Sequence, residues 1–288
     1  MLWLPLSLLS AFAQATADAF TKRALAGSDV FMVAWLRNLS AVPFLAVVLL
    51  LIPVPKLDTT FYWAVGLALP LEIIATLLYT KAIEVSPLSL TMPFLALTPL
   101  YLLVTSFVML GEVPSLNGGA GVCLLCVGGY LLNAHTLKEG GIFAPFVAIY
   151  KEKGSMMMMA VAAIYAVTSD LGKLAIMHSS PLFFGASYVA VFTLVFTPVA
   201  LGFAKKPLTL PKGRFRLYIL IGGSLALLTV TQTLALSMAQ VSYMIAVKRT
   251  SLLFSIGYGW LMFKESRISE RFIGGAVMLA GLVLIAVG

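Results

Sequence analysis

Apolar stretches of about twenty residues recur from one end of this chain to the other, and they constrain the fold more than any other feature. Residues 30–52 read VFMVAWLRNLSAVPFLAVVLLLI, with Arg37 as the single charge. A helix of that length covers roughly 30 Å at about 1.5 Å per residue, the thickness of a bilayer's hydrocarbon core. Lipid offers the backbone no hydrogen-bond partners, so only helices and closed barrels cross it. Barrel strands alternate apolar and polar residues over about ten positions. These runs do not alternate and are twice that length. The expected fold class is therefore all-α integral membrane. Composition agrees: 10% of residues are charged, against about 25% in soluble domains.

The pattern predicts ten transmembrane helices, at 2–21, 30–52, 60–80, 88–110, 116–135, 156–177, 182–204, 215–237, 243–263 and 270–287. The first is read as a span because Met1–Pro5 lacks the basic lead of a secretory signal. Proline and glycine punctuate the joints, as in Pro53-Val54-Pro55, Gly111-Glu112-Val113-Pro114 and Ser180-Pro181. One connection is long. Residues 140–154, GGIFAPFVAIYKEKG, are too short in their apolar part to span. They suit a helix lying in the interface, with YKEKG toward water.

That connection marks the midpoint of a repeat. MLGEVPSLNGGAGVCLLCVGGYLL (109–132) aligns with MFKESRISERFIGGAVMLAGLVLI (262–285), bringing Glu112 onto Glu265 and Gly121 onto Gly274. Thr16-Ala17-Asp18 aligns with Thr168-Ser169-Asp170. The organisation expected is a first five-helix repeat over 1–136, an interfacial linker over 137–154 and a second five-helix repeat over 155–288. An odd number of spans per repeat requires opposite insertion, so the repeats are inverted. Inverted repeats with a site at their interface are a transporter architecture.

Two five-span halves, each ending in a glutamate before a glycine-rich last helix, resemble the EamA-type transporters of the drug/metabolite transporter superfamily. The segment AVKRTSLLFSIGYGWLMFKESRISERFIGGAVMLAGLVLI is similar to the second EamA repeat over its whole length, and APFVAIYKEKGS to the linker. The resemblance covers essentially the whole chain. It implies export of amino acids, related metabolites or other solutes, without fixing which. It also implies both termini inside. The charges point the other way. Odd-numbered loops and adjoining helix ends carry most of the 19 Lys and Arg residues, and even-numbered loops carry Lys56 alone. The positive-inside rule places those odd loops in the cytoplasm and both termini outside. A multi-pass plasma membrane protein of a prokaryote is expected, with its orientation open between these readings.

Charges inside spans are costly and usually face a cavity or each other. Lys248 and Arg249 sit side by side in the ninth span, with no acidic residue within ten positions of the stretch 244–254. Either they snorkel to the interface or at least one faces a wet cavity and binds a carboxylate or phosphate. The aligned residues in the first half are Leu95 and Ala96, so the charge is asymmetric. Glu72 is the deepest acidic residue. It carries a coupling proton, binds a substrate amine, or pairs with a cation such as Arg37 or Arg249. Thr76 and Tyr79 share its face. Gln232, with Thr229 and Thr233, either glues helices together or lines a cavity. Gln14 and Tyr165 are cavity candidates. Asp18 with Lys22, and Asp170 with Lys173, are spaced to neutralise each other on one helix. Glu112 and Glu265 are expected at turns and helix N-termini.

The expected substrate-binding set is thus Lys248, Arg249, Glu72, Tyr79, Gln14, Tyr165 and Gln232. No catalytic, cofactor or metal-ligating residue is expected. There is no Walker loop, the two histidines (His135 and His178) lie far apart, and no nucleophile–base constellation occurs. Cys123 and Cys126 fit as small packing residues. The net charge of +8 is spread among short loops, which excludes a nucleic-acid surface. The partners expected are a small-molecule solute, the bilayer and protons as a coupling ion. Glycines of the fifth and tenth spans allow close packing within or between chains, so a monomer and a homodimer are both open. Two functions from the transport class compete: a secondary transporter exporting an amino-acid-like or carboxylate-bearing metabolite, and a proton-coupled exporter of lipophilic cations centred on Glu72. An integral-membrane enzyme or a non-transporting membrane subunit is a third reading, and no residue pattern supports catalysis.

Overall fold

The computed structural model describes residues 2–25, 28–85, 92–131, 153–204, 214–263 and 272–287, and these form helices and no strand. In chain order they are α1 (Trp3–Leu25), α2 (Val30–Leu51), α3 (Thr59–Val85), a 3-10 segment (Met92–Leu97), α4 (Thr98–Leu110), α5 (Leu116–Leu131), α6 (Lys153–Met177), α7 (Pro181–Phe203), α8 (Phe215–Met238), α9 (Val241–Lys248), α10 (Ser251–Phe263) and α11 (Phe272–Val287). By length and composition α2, α6, α7, α8 and the Thr59–Ala82 part of α3 are able to cross a membrane, and α5 and α11 are shorter apolar helices. The interfacial helix expected over 140–154 falls on residues outside the described set, except Lys153 and Gly154, which open α6.

Local chemistry sets the helix ends. Asp29 caps α2, its Oδ1 accepting from the Phe31 and Met32 amides at 2.9 and 3.3 Å. Ser180 caps α7, with Pro181 in the first turn where its missing donor costs nothing. Gly111 ends α4 in the left-handed region at φ 68°. Its amide bonds to Phe107 O, and the Glu112 amide to Ser106 O. This paired closure needs glycine at its turning point.

The two sequence halves share their buried surface. α1 packs on α8, α2 on α7 and α8, α3 on α6, and α5 on α11. In the last pair the glycines meet within one chain: a Cβ at Gly281 would stand 2.7 Å from the Gly121 carbonyl oxygen. His178 meets Asp58 between the turns at 52–58 and 178–180, Gln240 meets Val113 between those at 111–115 and 239–240, and Leu57, Leu110, Ile176 and Leu236 beside them share one apolar cluster. We call this the even-loop end. At the opposite end Arg214 donates to Ala24 O at 2.9 Å and to the Ser28 hydroxyl.

One correction concerns the ninth span. It was expected to run unbroken over 243–263, but α9 stops at Lys248 and α10 starts at Ser251. The Arg249 and Thr250 amides bond three residues back, and the Thr250 hydroxyl bonds Val247 O at 2.7 Å. Such i−3 bonding tightens the helix and interrupts it. The fourth span is likewise divided, between the 3-10 segment and α4. There the Thr98 hydroxyl bonds Leu95 O at 2.8 Å, and Pro99 follows without an amide donor. The two interruptions lie 152 residues apart, within one position of the offset that places Lys248 and Arg249 on Leu95 and Ala96.

Candidate functional site

The two interruptions face each other. Arg249, at the second, donates from Nη2 to the Thr98 hydroxyl at the first, at 2.8 Å. Its Nε is buried and has no hydrogen-bond partner among the described residues. Lys248 closes α9 and donates to Gln232 Oε1 of α8 at 2.7 Å. Both cations are therefore held inside the bundle, and neither is the snorkelling residue that its sequence depth allowed.

The other expected site residues gather around them. Glu72 of α3 faces Thr168 of α6 and lies within electrostatic reach of Lys248. Tyr165 of α6 lies within reach of Glu72, Tyr79 and Arg249, and Tyr79 within reach of Asp18, Arg37 and Arg249. Gln14 of α1 donates to Asp18 Oδ2 at 3.0 Å. Asp18 Oδ1 in turn receives Arg37 Nη1 of α2 at 2.8 Å. All seven residues singled out from the sequence thus fall in one polar ring. Each keeps part of its surface uncovered, while neighbours such as Ala13, Ala75 and Ala246 are fully buried.

The ring also contains residues that the sequence reading passed over. Asp18, which the sequence also spaces to neutralise Lys22, forms an ion pair with Arg37 of α2, and the hydrogen bond from Gln14 one turn earlier on α1 reaches its other oxygen. The i,i+4 spacing of Gln14 and Asp18 was the available signal. Arg37 was offered as a partner for Glu72, but Asp18 takes it. Thr98 anchors Arg249, and its one sequence clue is the proline that follows. Tyr188 of α7 lies within reach of Glu72. Thr16 meets the Tyr258 hydroxyl at 2.7 Å, tying α1 to α10 beside the ring.

The pairing expected between Asp170 and Lys173 is also corrected. Asp170 Oδ1 accepts from the Ser106 hydroxyl at 2.6 Å. Lys173 instead donates to the carbonyls of Leu236 and Ala239 at the end of α8. A lysine reaching the last carbonyls of another helix caps that helix's negative end. Next to it, Glu112 Oε2 accepts from the Val241 amide at 2.8 Å and caps the start of α9. The expectation of Glu112 at a helix N-terminus is met, in a helix of the other half. Glu265, its counterpart, lies outside the described residues. Gln240 donates to Val113 O at 3.1 Å, and the Tyr243 hydroxyl accepts from the Ser115 amide at 2.8 Å. These bonds form a polar clasp across the even-loop end.

Burial pushes the Glu112 carboxyl above its usual range, against the pull of the Val241 amide and the Lys173 charge. Asp58 is shifted the opposite way. The Phe61 amide first, and then His178, hold its carboxyl below the ordinary aspartate value. Its folded-state contribution is therefore present above about pH 4 and is lost as pH falls through the depressed value. Replacing Asp58 with Asn should lower stability modestly at neutral pH and flatten the acid limb of a thermal-stability profile, so that variant and parent converge once pH falls below that window.

Comparison with known proteins adds two findings. Residues 1–134 match the model of the EamA-like transporter family. That match fits an EamA-type transporter of the drug/metabolite transporter superfamily, and the five helices long and apolar enough to cross a membrane agree with a multi-pass membrane protein. A solved structure, described only as the crystal structure of a protein, superposes with a TM-score of 0.78 at 14% identity, covering 99% of this chain and 96% of that one. At that identity the likeness concerns the fold alone. No curated protein matches the sequence significantly.

Proposed function

We propose that this EamA-like chain is a secondary transporter with ten spans in two inverted five-helix repeats. It exports a small amino-acid-like or carboxylate-bearing metabolite by alternating access. Net export from a prokaryotic cell and proton coupling belong to the same reading.

One observation carries it: Arg249 brings a buried, unpartnered Nε to a break in a helix, beside Lys248 and inside a polar ring. Interrupted helices that expose backbone and charge near the midplane are how membrane transporters build solute sites. A carboxylate entering the ring would accept from Arg249 and complete its hydrogen bonding. Lys248 would add a second positive charge. Glu72, on the far side near Thr168 and Tyr188, would hold a substrate amine or a coupling proton. Tyr79, Tyr165, Gln14 and Gln232 would shape the walls.

The lipophilic-cation reading is weaker on the same geometry. Arg37, Lys248 and Arg249 stand against Asp18 and Glu72, so the ring has a cation excess. An unpaired lipophilic cation would enter against that field.

The test is ligand stabilisation of the purified protein, since a ligand that binds the folded state raises its melting temperature by mass action. Amino acids, organic acids, sugar phosphates and cationic drugs form the panel, with Arg249→Gln run in parallel. Stabilisation by carboxylate-bearing solutes, lost in the variant, is the expected result. Stabilisation by cationic drugs alone, retained in the variant, would replace this reading with the Glu72-centred one.

A further inference from the structure

Asp170 is the buried acid that the transport reading leaves unused. Its relative exposure is 0%. Oδ1 has the Ser106 hydroxyl at 2.6 Å, and Oδ2 has no hydrogen-bond partner among the described residues. The Thr105 hydroxyl faces the carboxyl and is itself buried without a geometrically sound partner. Lys173, nearly one turn further along α6, turns its ammonium to α8. The remaining charged group in reach is Glu112, which repels a second negative charge.

The repeat sharpens the contrast. Asp18, the aligned residue of the first half, has Arg37 as its counter-ion. The positions 152 and 153 residues beyond Arg37 are Val189 and Ala190. The second half keeps the acid without the cation. A carboxylate in that place is a buried charge with no compensating partner. A proton on Oδ2 removes the charge and provides an O–H donor for the Thr105 hydroxyl, so both orphaned oxygens are satisfied in one step.

The location gives the proton something to act on. Ser106, which holds Asp170, also accepts from the Glu112 amide through its carbonyl. Glu112 caps α9, and Lys173 caps α8. Losing the proton would set two negative charges against each other under the joint of α4, α6, α8 and α9.

We propose that Asp170 is a proton-binding site, separate from the central ring, and that its protonated form holds the even-loop end closed. Release of the proton to water opens that end. Sodium is a poorer occupant than a proton, because it wants about six oxygens, and three side-chain oxygens of Asp170 and Thr105, with Ser106, fall short of that.

The experiment follows the clasp in full-length protein without any solute, so its result is independent of the substrate reading. Spin labels are placed at Leu116 and Met238, which are 91% and 52% exposed at the even-loop end. The background carries Cys123→Ala and Cys126→Ala, and distances are measured across a pH series. The parent should show one short distance at low pH and a growing longer population as pH rises. Asp170→Asn, a mimic of the protonated acid, should stay short throughout, and Asp170→Glu should keep a pH response. Glu112→Gln, which removes one of the two opposed charges but leaves the buried acid in place, should weaken the pH response without abolishing it. Infrared difference spectra should lose a protonated-carboxyl band in Asp170→Asn. A distance that does not respond to pH would overturn the proposal. So would a response that survives in Asp170→Asn, one abolished by Glu112→Gln but not by Asp170→Asn, or one driven by sodium at fixed pH.

Discussion

In proteoliposomes, Arg249→Gln should lose transport of a carboxylate-bearing solute while remaining folded. Removing one partner of a buried, hydrogen-bonded charge pair costs about 2 kcal/mol or more, which is at least about a 30-fold loss of affinity. The fold should tolerate the change. Arg249 has one side-chain hydrogen bond in the described structure, to Thr98, and the variant removes a buried cation that has no acidic partner of its own. Losing an uncompensated buried charge relieves desolvation cost. Lys248→Gln should be milder, because Gln232 already engages that ammonium. The check is uptake per folded transporter, with size-exclusion profile and melting temperature as controls. Full transport by Arg249→Gln would remove Arg249 from the site.

The second large effect is on stability. Gly222→Ala in α8 should be strongly destabilising, by about 3 kcal/mol, the upper part of the range for overpacking a close contact. A Cβ there collides with the backbone carbonyl of Ser40 in α2. Backbone cannot swing aside as a flexible side chain can, so the two helices must separate. Gly66→Ala in α3 is the matched control, since nothing lies within 4 Å of its Cβ position. There the alanine should be neutral or slightly stabilising through helix propensity, by up to about 1 kcal/mol. Thermal unfolding of the two variants in the same detergent compares them directly. Equal melting temperatures would mean that α2 and α8 are less closely apposed than described here.

The class of fold and the members of the ring were legible because lipid imposes simple rules. Runs of apolar residues announce spans, and Glu72, Lys248 and Arg249 stand out because charge inside a span is expensive. The partnerships were harder to read. Helical spacing favours Asp170 with Lys173, but Ser106 of α4 takes the acid and the α8 carbonyls take the lysine, and it gives no sign that Arg37 of α2 pairs with Asp18. Spacing describes one helix, while Arg37, Ser106 and the α8 carbonyls arrive through tertiary packing. The helix interruptions were hidden for a different reason. A threonine that back-bonds to its own helix can occupy unbroken helices too, so Thr98 and Thr250 carry no decisive signal. Only their shared offset and the proximity of Arg249 to Thr98 give them meaning.

The Asp18–Arg37 pair joins consecutive helices, and this bears on how the chain enters a bilayer. The first hairpin can neutralise its two charges as soon as it exists, before α7 and α8 have been synthesised to cover it. Lys248 finds the neutral Gln232 on the preceding helix, and Arg249 finds Thr98 in the other half of the chain. They emerge near the end of synthesis, when Gln232, Thr98 and the rest of the ring are already in place to receive them. For these charges the order of residues along the chain brings a partner within reach by the time both are in the bilayer, whereas Glu72 waits for Thr168 of a later helix.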